Sequence, residues 1–472
     1  MSNQEICFQD ATALAGQIRS RALSAREVMQ AHLDQINRIN PIVNAIVSKL
    51  DDDACLALAD RADQALANNE AIGPLHGLPI AFKDLEDAVG FPNTMGSPLH
   101  VNNYPVQDSL LVERMRKAGA IPIGKTNVPE FGLGSHTFNT VFGATLNPYD
   151  TTKTCGGSSG GAGVALATGM LPIADGSDMG GSLRNPGNFN NVVGLRPSPG
   201  LVPTWPAALP WVQMSVKGPL ARTVSDVALM LTALSGADDR APLSLNVDPA
   251  SFARPLDRDF RGKKVAWAPD LGGLPLDSRV RTALESRRQA FTDLGCVVEE
   301  ACPDFSGAEE VFQTLRAFLL ATSNADTFDH DRPQMKPEAV WNTEKGFALS
   351  GLDVGKALTK LTEVIDRVRL FMEEYEYILC AVNQVPPFDV TTRYPEQVDG
   401  VHMPTYISWM QSAYFITVSR VPAISVPCAF TPEGLPVGIQ IVGRQQSDFS
   451  LLQFAHAFEQ VTQVGKRRPS IL

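Results

Sequence analysis

The chain has 472 residues, 44% of them hydrophobic and 19% charged, with a formal net charge of −11 from 40 Lys+Arg against 51 Asp+Glu. The apolar fraction is enough for a large buried core and excludes a mainly disordered, collagen-like or coiled-coil protein. The acidic balance gives no general attraction to phosphate backbones or anionic lipid, and the longest basic run is Lys466-Arg467-Arg468, so no nucleic acid or membrane partner is expected.

In chain order, Leu14, Ile18, Val28, Leu33, Ile36 and Ile39 recur at helical spacing over 10–70, and Ser24 followed by Glu27 makes a capping box. A second helix is predicted over 54–67. The Asp51-Asp52-Asp53 triplet before it suits a helix N-terminus better than a metal cluster. The N-terminus lacks a basic region followed by an apolar stretch, and no segment offers about 18 uninterrupted apolar residues. Seven scattered cysteines without a C-x-x-C pair suit reduced thiols. The expectation is a cytoplasmic, unanchored protein.

From 72 to 240 short apolar runs broken by Gly and Pro, at 78–82 and 120–123, read as buried strands, with a helix over 110–118 between them. After a polar link at 237–248 come a strand at 264–267, a helix over 279–294 and a mostly helical, irregular stretch over 305–375. Strand texture returns at 423–427 and 437–442, and a helix over 450–460 closes the chain. Strands alternating with helices, and strand-rich segments on both sides of a helical insert, predict one α/β domain over 1–472.

Two short motifs match formally. Gly119 to Thr126 has the spacing of a phosphate loop, but its apolar strand lies between the two glycines and Pro129 follows soon after, so the loop cannot wrap phosphates. Gly156-Gly157-Ser158-Ser159-Gly160 has the form of a nucleophile elbow, which needs a strand directly before it and a later histidine. His330, His402 and His456 follow, so the elbow stays open as an alternative, although 147–153 does not read as a strand. His330 within 326–331 reads as part of a solvated loop, because no paired-His spacing accompanies it.

Three segments combine residue types that structure alone does not explain: Gly77 to Asp84, ending in Lys83-Asp84; Gly156-Gly157-Ser158-Ser159-Gly160-Gly161; and Gly176-Ser177-Asp178-Met179-Gly180-Gly181-Ser182-Leu183-Arg184-Asn185-Pro186. With these the chain resembles the amidase signature family of serine hydrolases, whose long Gly/Ser signature runs without a gap from Gly156 to Pro186. Lys125 to Phe131, Gly194 to Pro197, Gly218 to Thr223 and Gly434 to Gln440 agree as well, so the resemblance covers roughly 10–460. Little is recognisable over 305–410, where parts specific to the substrate are expected.

The resemblance implies Ser182 as nucleophile, Ser158 as bridging acid/base in a cis peptide, and Lys83 as the ultimate base. It also implies a single α/β/α sandwich with a large twisted mixed sheet covered by helices. A serine hydroxyl is a weak nucleophile until its proton is removed, and a lysine removes it only if burial leaves the amine neutral. Gly180 and Gly181 let the amides of Met179, Gly180, Gly181 and Ser182 converge on an oxyanion. Ser159 would bond near Lys83, while Asp178 and Arg184 would fix the turn; Arg184 as a clamp for a substrate carboxylate is the alternative. Cys155 reads as a packed residue rather than a nucleophile. Phe131, His136, Trp205 and Trp211 are candidates for lining the pocket.

The expected reaction is hydrolysis of a linear carboxamide through an acyl-enzyme on Ser182, with no metal or organic cofactor. The expected partners are a small amide and water, and a homodimer is admitted without being required. The 176–186 block is closer to bacterial broad-specificity amidases, including those for aryl amides and aminohexanoate oligomers, than to eukaryotic lipid amidases. Two alternatives remain: a glutamine-using amidotransferase subunit with this signature, and a catalytically silent binding protein on the same scaffold.

Overall fold

In the computed structural model, which describes residues 2–472, eight strands form one mixed sheet. Across it the strands run Val297–Glu300, Lys264–Trp267, Tyr377–Ala381, Pro436–Val442, Ala423–Phe430, Val193–Arg196, Val216–Ala221 and Ile173–Asp178. The first three pair in parallel and all later neighbours antiparallel. Strands from before 240 and after 370 thus meet in one sheet, at the pairing of Ala423–Phe430 with Val193–Arg196.

Side chains alternate across a strand, so each strand serves two cores. Val265, Trp267, Tyr377 and Leu379 pack with Phe291, Phe454 and Phe458 on one face. Ala266, Ile378 and Cys380 pack on the other with Val311, Phe312, Val368 and Tyr414. Helices Val224–Leu234, Ser278–Glu285 and Asp448–Thr462 supply the first layer, and Ala308–Asn324, Gly351–Glu374 and Gln411–Val418 the second. The architecture is an α/β/α sandwich.

The predicted helix over 279–294 is two helices, Ser278–Glu285 and Arg288–Asp293. Arg287 leaves helical geometry between them (φ −117°, ψ 0°), and its Nε donates to the Cys428 carbonyl at 3.0 Å. The capping box forms as predicted: the Ser24 hydroxyl accepts from Glu27 N–H, and the Glu27 carboxylate accepts from Ser24 N–H.

A separate three-stranded sheet, Ile46–Val47, Ile121–Thr126 and Pro79–Lys83, lies beside the edge strand Ile173–Asp178. The two sheets are joined by a side chain: Asp175 Oδ1 accepts the backbone N–H of Lys83 at 3.0 Å. This junction brings the end of the Lys83 strand to the end of the strand carrying Ser177 and Asp178. No helix among the described residues is long and apolar enough to cross a membrane.

Candidate active site

Lys83 closes a strand whose five residues are all buried, and the lysine itself is fully enclosed. Its Nζ lies 2.8 Å from Ser158 Oγ, 2.8 Å from Ser159 Oγ and 3.0 Å from Ser177 Oγ. Burial, reinforced by the positive charge of Lys217, lowers the Lys83 pKa to about 7, against the opposing pull of Asp175, Glu86 and Asp178. Near neutrality the amine is therefore in part uncharged. As the ammonium it donates to the hydroxyls around it; as the free amine it accepts from one of them.

The serine loop is fixed from several sides. The Gly157–Ser158 peptide is cis. Ser135 Oγ donates to the Gly157 carbonyl at 2.7 Å and Thr137 Oγ1 to the Gly156 carbonyl at 2.7 Å. The helix Gly160–Ala167 starts immediately afterwards, pressed against a neighbouring chain segment: a Cβ on Gly161 would lie 2.4 Å from the Asn127 nitrogen. Ser159 N–H donates to the Ser182 carbonyl at 3.3 Å, which ties the two serine loops together.

The Ser182 turn is organised by Asp178. Burial alone would raise this carboxyl, but Arg184 and Arg196 against it hold it well below the usual carboxylate range. Arg184 donates twice, Nε to Oδ2 at 2.9 Å and Nη2 to Oδ1 at 2.8 Å, a bidentate pair with no exposed side-chain surface on either partner. The same carboxylate accepts the N–H of Gly181 at 3.0 Å and of Leu183 at 3.2 Å. Ser158, Ser177, Gly180 and Ser182 border one cavity of about 150 Å³.

A family model described as Amidase matches residues 27–452. The chain belongs to the amidase family. It is 32% identical over 472 residues to an acylamidase of Rhodococcus erythropolis, covering 100% of this chain and 99% of that one. It is also 32% identical over 481 residues to a glutamyl-tRNA(Gln) amidotransferase subunit of Cyanothece sp., covering 96% of this chain and 98% of the relative. Among solved structures, a bacterial aryl acylamidase of the amidase signature family superposes with a TM-score of 0.89 at 27% identity, over 98% of this chain and 99% of that one.

Several features of this family member depart from the sequence reading. Gly181 N–H is committed to Asp178, whereas the amides of Met179, Gly180 and Ser182 donate to no protein group among the described residues. Gly181 is a glycine because the turn requires it: φ is +105°, and a Cβ would lie 2.4 Å from Asn185 Oδ1 and 2.7 Å from Ala413 Cβ. Gly181→Ala is expected to lose roughly 2–4 kcal/mol of stability in urea denaturation, through strain and overpacking together. An unchanged unfolding midpoint would show that the turn adapts.

Arg184 is no substrate clamp. It is fully buried, and its five N–H groups are all used, by Asp178 twice, the Ala413 carbonyl, Gln440 Oε1 and Thr417 Oγ1. The elbow reading also falls, because no strand directly precedes Gly156 and the partner of Ser158 is Lys83 rather than a histidine. Cys155 is buried, and desolvation raises its thiol to about 12, so it is no thiolate.

Of the four aromatic candidates, only Phe131 borders the cavity. His136 is buried, with Nε2 2.9 Å from the Val390 carbonyl and Nδ1 2.8 Å from Thr154 Oγ1; both ring nitrogens are used in holding loops together. Trp205 lies under the Arg240 guanidinium, 4.9 Å from its ring centroid, and Trp211 is 64% exposed. Neither reaches Ser182, because the 203–213 segment that carries them turns other residues inward.

Two groups at the site carry no motif of their own in the sequence. Ser177 and Asp175 share one face of the strand Ile173–Asp178, two residues apart, and meet the Nζ and the backbone N–H of Lys83 respectively. Period-two alternation toward Lys83 was the signal available for them. Arg316, Phe312, Ile407 and Met410 enter the cavity from the 305–410 region.

Proposed function

We propose that this amide hydrolase cleaves linear carboxamides through an acyl-enzyme on Ser182. The observation that carries the reading is the buried Lys83 amine, with its pKa near 7, 2.8 Å from the hydroxyl of Ser158, which borders the same cavity as Ser182. In the first step neutral Lys83 takes the Ser158 proton while Ser158 takes that of Ser182, and Ser182 Oγ attacks the amide carbon. The carbonyl oxygen becomes negative and is met by the amides of Met179, Gly180 and Ser182. Collapse breaks the C–N bond, and the proton returns from Lys83 through Ser158 to the departing amine. Water then repeats the sequence on the Ser182 ester and releases the acid. Every proton is accounted for by Lys83 and the serines, so these steps call for no metal or organic cofactor.

The substrate side is supported by a second hollow of about 260 Å³ that shares Met179, Ser215 and Leu320 with the catalytic cavity and is walled by Val202, Leu209 and Val212. An aryl or alkyl group fits these apolar walls, in keeping with the acylamidase relatives. In this reading the partners are the amide and water, with a homodimer left to sedimentation analysis. We place the reaction in the cytoplasm, because all seven cysteines are free thiols.

The acyl-enzyme is tested with N-acyl-4-nitroanilides in the presence of hydroxylamine. A common acyl-enzyme partitions between water and hydroxylamine in a ratio independent of the amine that left. A ratio that changes with the leaving amine contradicts the intermediate. The amidotransferase relative, equally similar at 32% identity, supports a second reading in which glutamine is the amide. Glutaminase activity that appears only with a copurifying protein would favour it.

A further inference from the structure

We propose that Arg316 recognises a carboxylate on the substrate, so that the amides this protein prefers carry an acid group within reach of Ser182. The inference rests on the reading of the Ser182 cavity as the substrate site. Arg316 projects from the helix Ala308–Asn324, is 4% exposed and borders that cavity together with Ser158 and Ser182.

A buried guanidinium ordinarily faces a carboxylate, because removing it from water unpaired costs several kcal/mol. Arg184 and Arg196 follow this rule with Asp178. Arg316 has no carboxylate within ion-pair distance among the described residues. Its hydrogen bonds go to two neutral groups, Nη1 to Asn342 Oδ1 and Nη2 to Tyr406 OH, and its guanidinium lies 5.2 Å from the centroid of the Tyr406 ring. Those bonds use two of five N–H groups.

The acids of the neighbourhood are otherwise engaged. Glu309 accepts from Tyr414 OH and Gln411, Glu338 pairs with Arg393, and Glu130 accepts from Ser97. Asn342 and Tyr406 hold the guanidinium in place while leaving its charge unanswered. Phe131, Leu133, Phe312, Ile407 and Met410 form an apolar wall of the cavity that Arg316 borders, so an incoming anion would meet the cation with less water around it than at the surface. Lys83 cannot answer an anion in the same way, since its amine is turned into three hydroxyls. The planar fork of Arg316 suits a carboxylate better than a neutral acceptor.

The test uses matched amides differing only in the acid: N-succinyl- against N-butyryl-4-nitroanilide on the acyl side, and N-acetyl-4-aminobenzoate against N-acetyl-4-toluidine on the amine side. In one pair the acid-bearing member is expected to show a kcat/KM higher by roughly tenfold to a hundredfold, the range of a charged hydrogen bond. Arg316→Gln should bring that ratio toward one, and Arg316→Lys should retain part of it. A wild-type preference for the neutral member of both pairs, with ratios unmoved in Arg316→Gln, overturns the proposal. Thermal melting with succinate and benzoate, against succinamide and benzamide, reads binding without turnover. Stabilisation by the acids alone, lost in Arg316→Gln, supports the proposal even if no amide is cut. Equal effects of acids and amides overturn it. Hydrolysis without any acid preference would sink this inference and leave the acyl-enzyme standing.

Discussion

Ser182→Ala is expected to lower kcat on any amide the protein cleaves by about 10⁴-fold or more, with little change in KM. The size follows from the chemistry: without the Ser182 oxygen the protein retains the oxyanion donors and the bound geometry but has no group to form the ester, and removing a nucleophile of this kind costs about 10⁴–10⁶ in rate. Ser158→Ala should also be severely impaired, because the proton path from Ser182 to Lys83 is cut. Stability should separate the two. Ser158 is 2% exposed and bonded to Lys83 Nζ, whereas the Ser182 hydroxyl has no hydrogen-bond partner among the described residues. Melting curves should therefore move for Ser158→Ala and stay in place for Ser182→Ala. Activity of Ser182→Ala within tenfold of wild type would remove Ser182 from the mechanism.

The second large effect belongs to Lys83. Lys83→Ala should reduce kcat by about 10³–10⁴-fold, the contribution of general base catalysis to a serine hydrolase. Lys83→Arg should not rescue it, since a guanidinium stays charged and cannot accept a proton. The pH dependence has a definite sign. Burial lowers the Lys83 pKa to about 7, so below that pH the amine is protonated and cannot act as base, and above it the amine is free. In the wild type kcat/KM should rise with pH through about 7 and level off above it, measured with a neutral amide to avoid substrate ionisation. A profile that rises only above pH 9 would mean that Lys83 keeps an ordinary pKa and that another group is the base.

How far the site could be read in advance depended on how local each signal was. The Gly156 to Pro186 signature is contiguous, so Ser158, Ser182, Asp178 and Arg184 were visible as a set, and the apolar run before Lys83 announced its burial. The Ser24–Glu27 box, the strand at 264–267 and the closing helix were equally legible, because caps and periodicity are written within a few residues. What failed was set by distant contacts. At the break Arg287 bonds the Cys428 carbonyl, a partner 141 residues away about which the helical pattern over 279–294 carries no information. The two tryptophans lie near the signature in sequence, yet the cavity at Ser182 is completed by residues from 305–410, brought in by the helix Ala308–Asn324 and the segment before Gln411–Val418. Position alone makes Gly181 an oxyanion donor; the competing acceptor, Asp178, appears only when the turn is folded.

The most direct test of the central claim is peptide mapping of the intact protein after treatment with a fluorophosphonate, which marks an activated serine without requiring the substrate to be known. One adduct is expected, on Ser182, formed faster as pH rises through about 7 and absent in Lys83→Ala. An adduct on Ser158, or none on either serine, would contradict the claim.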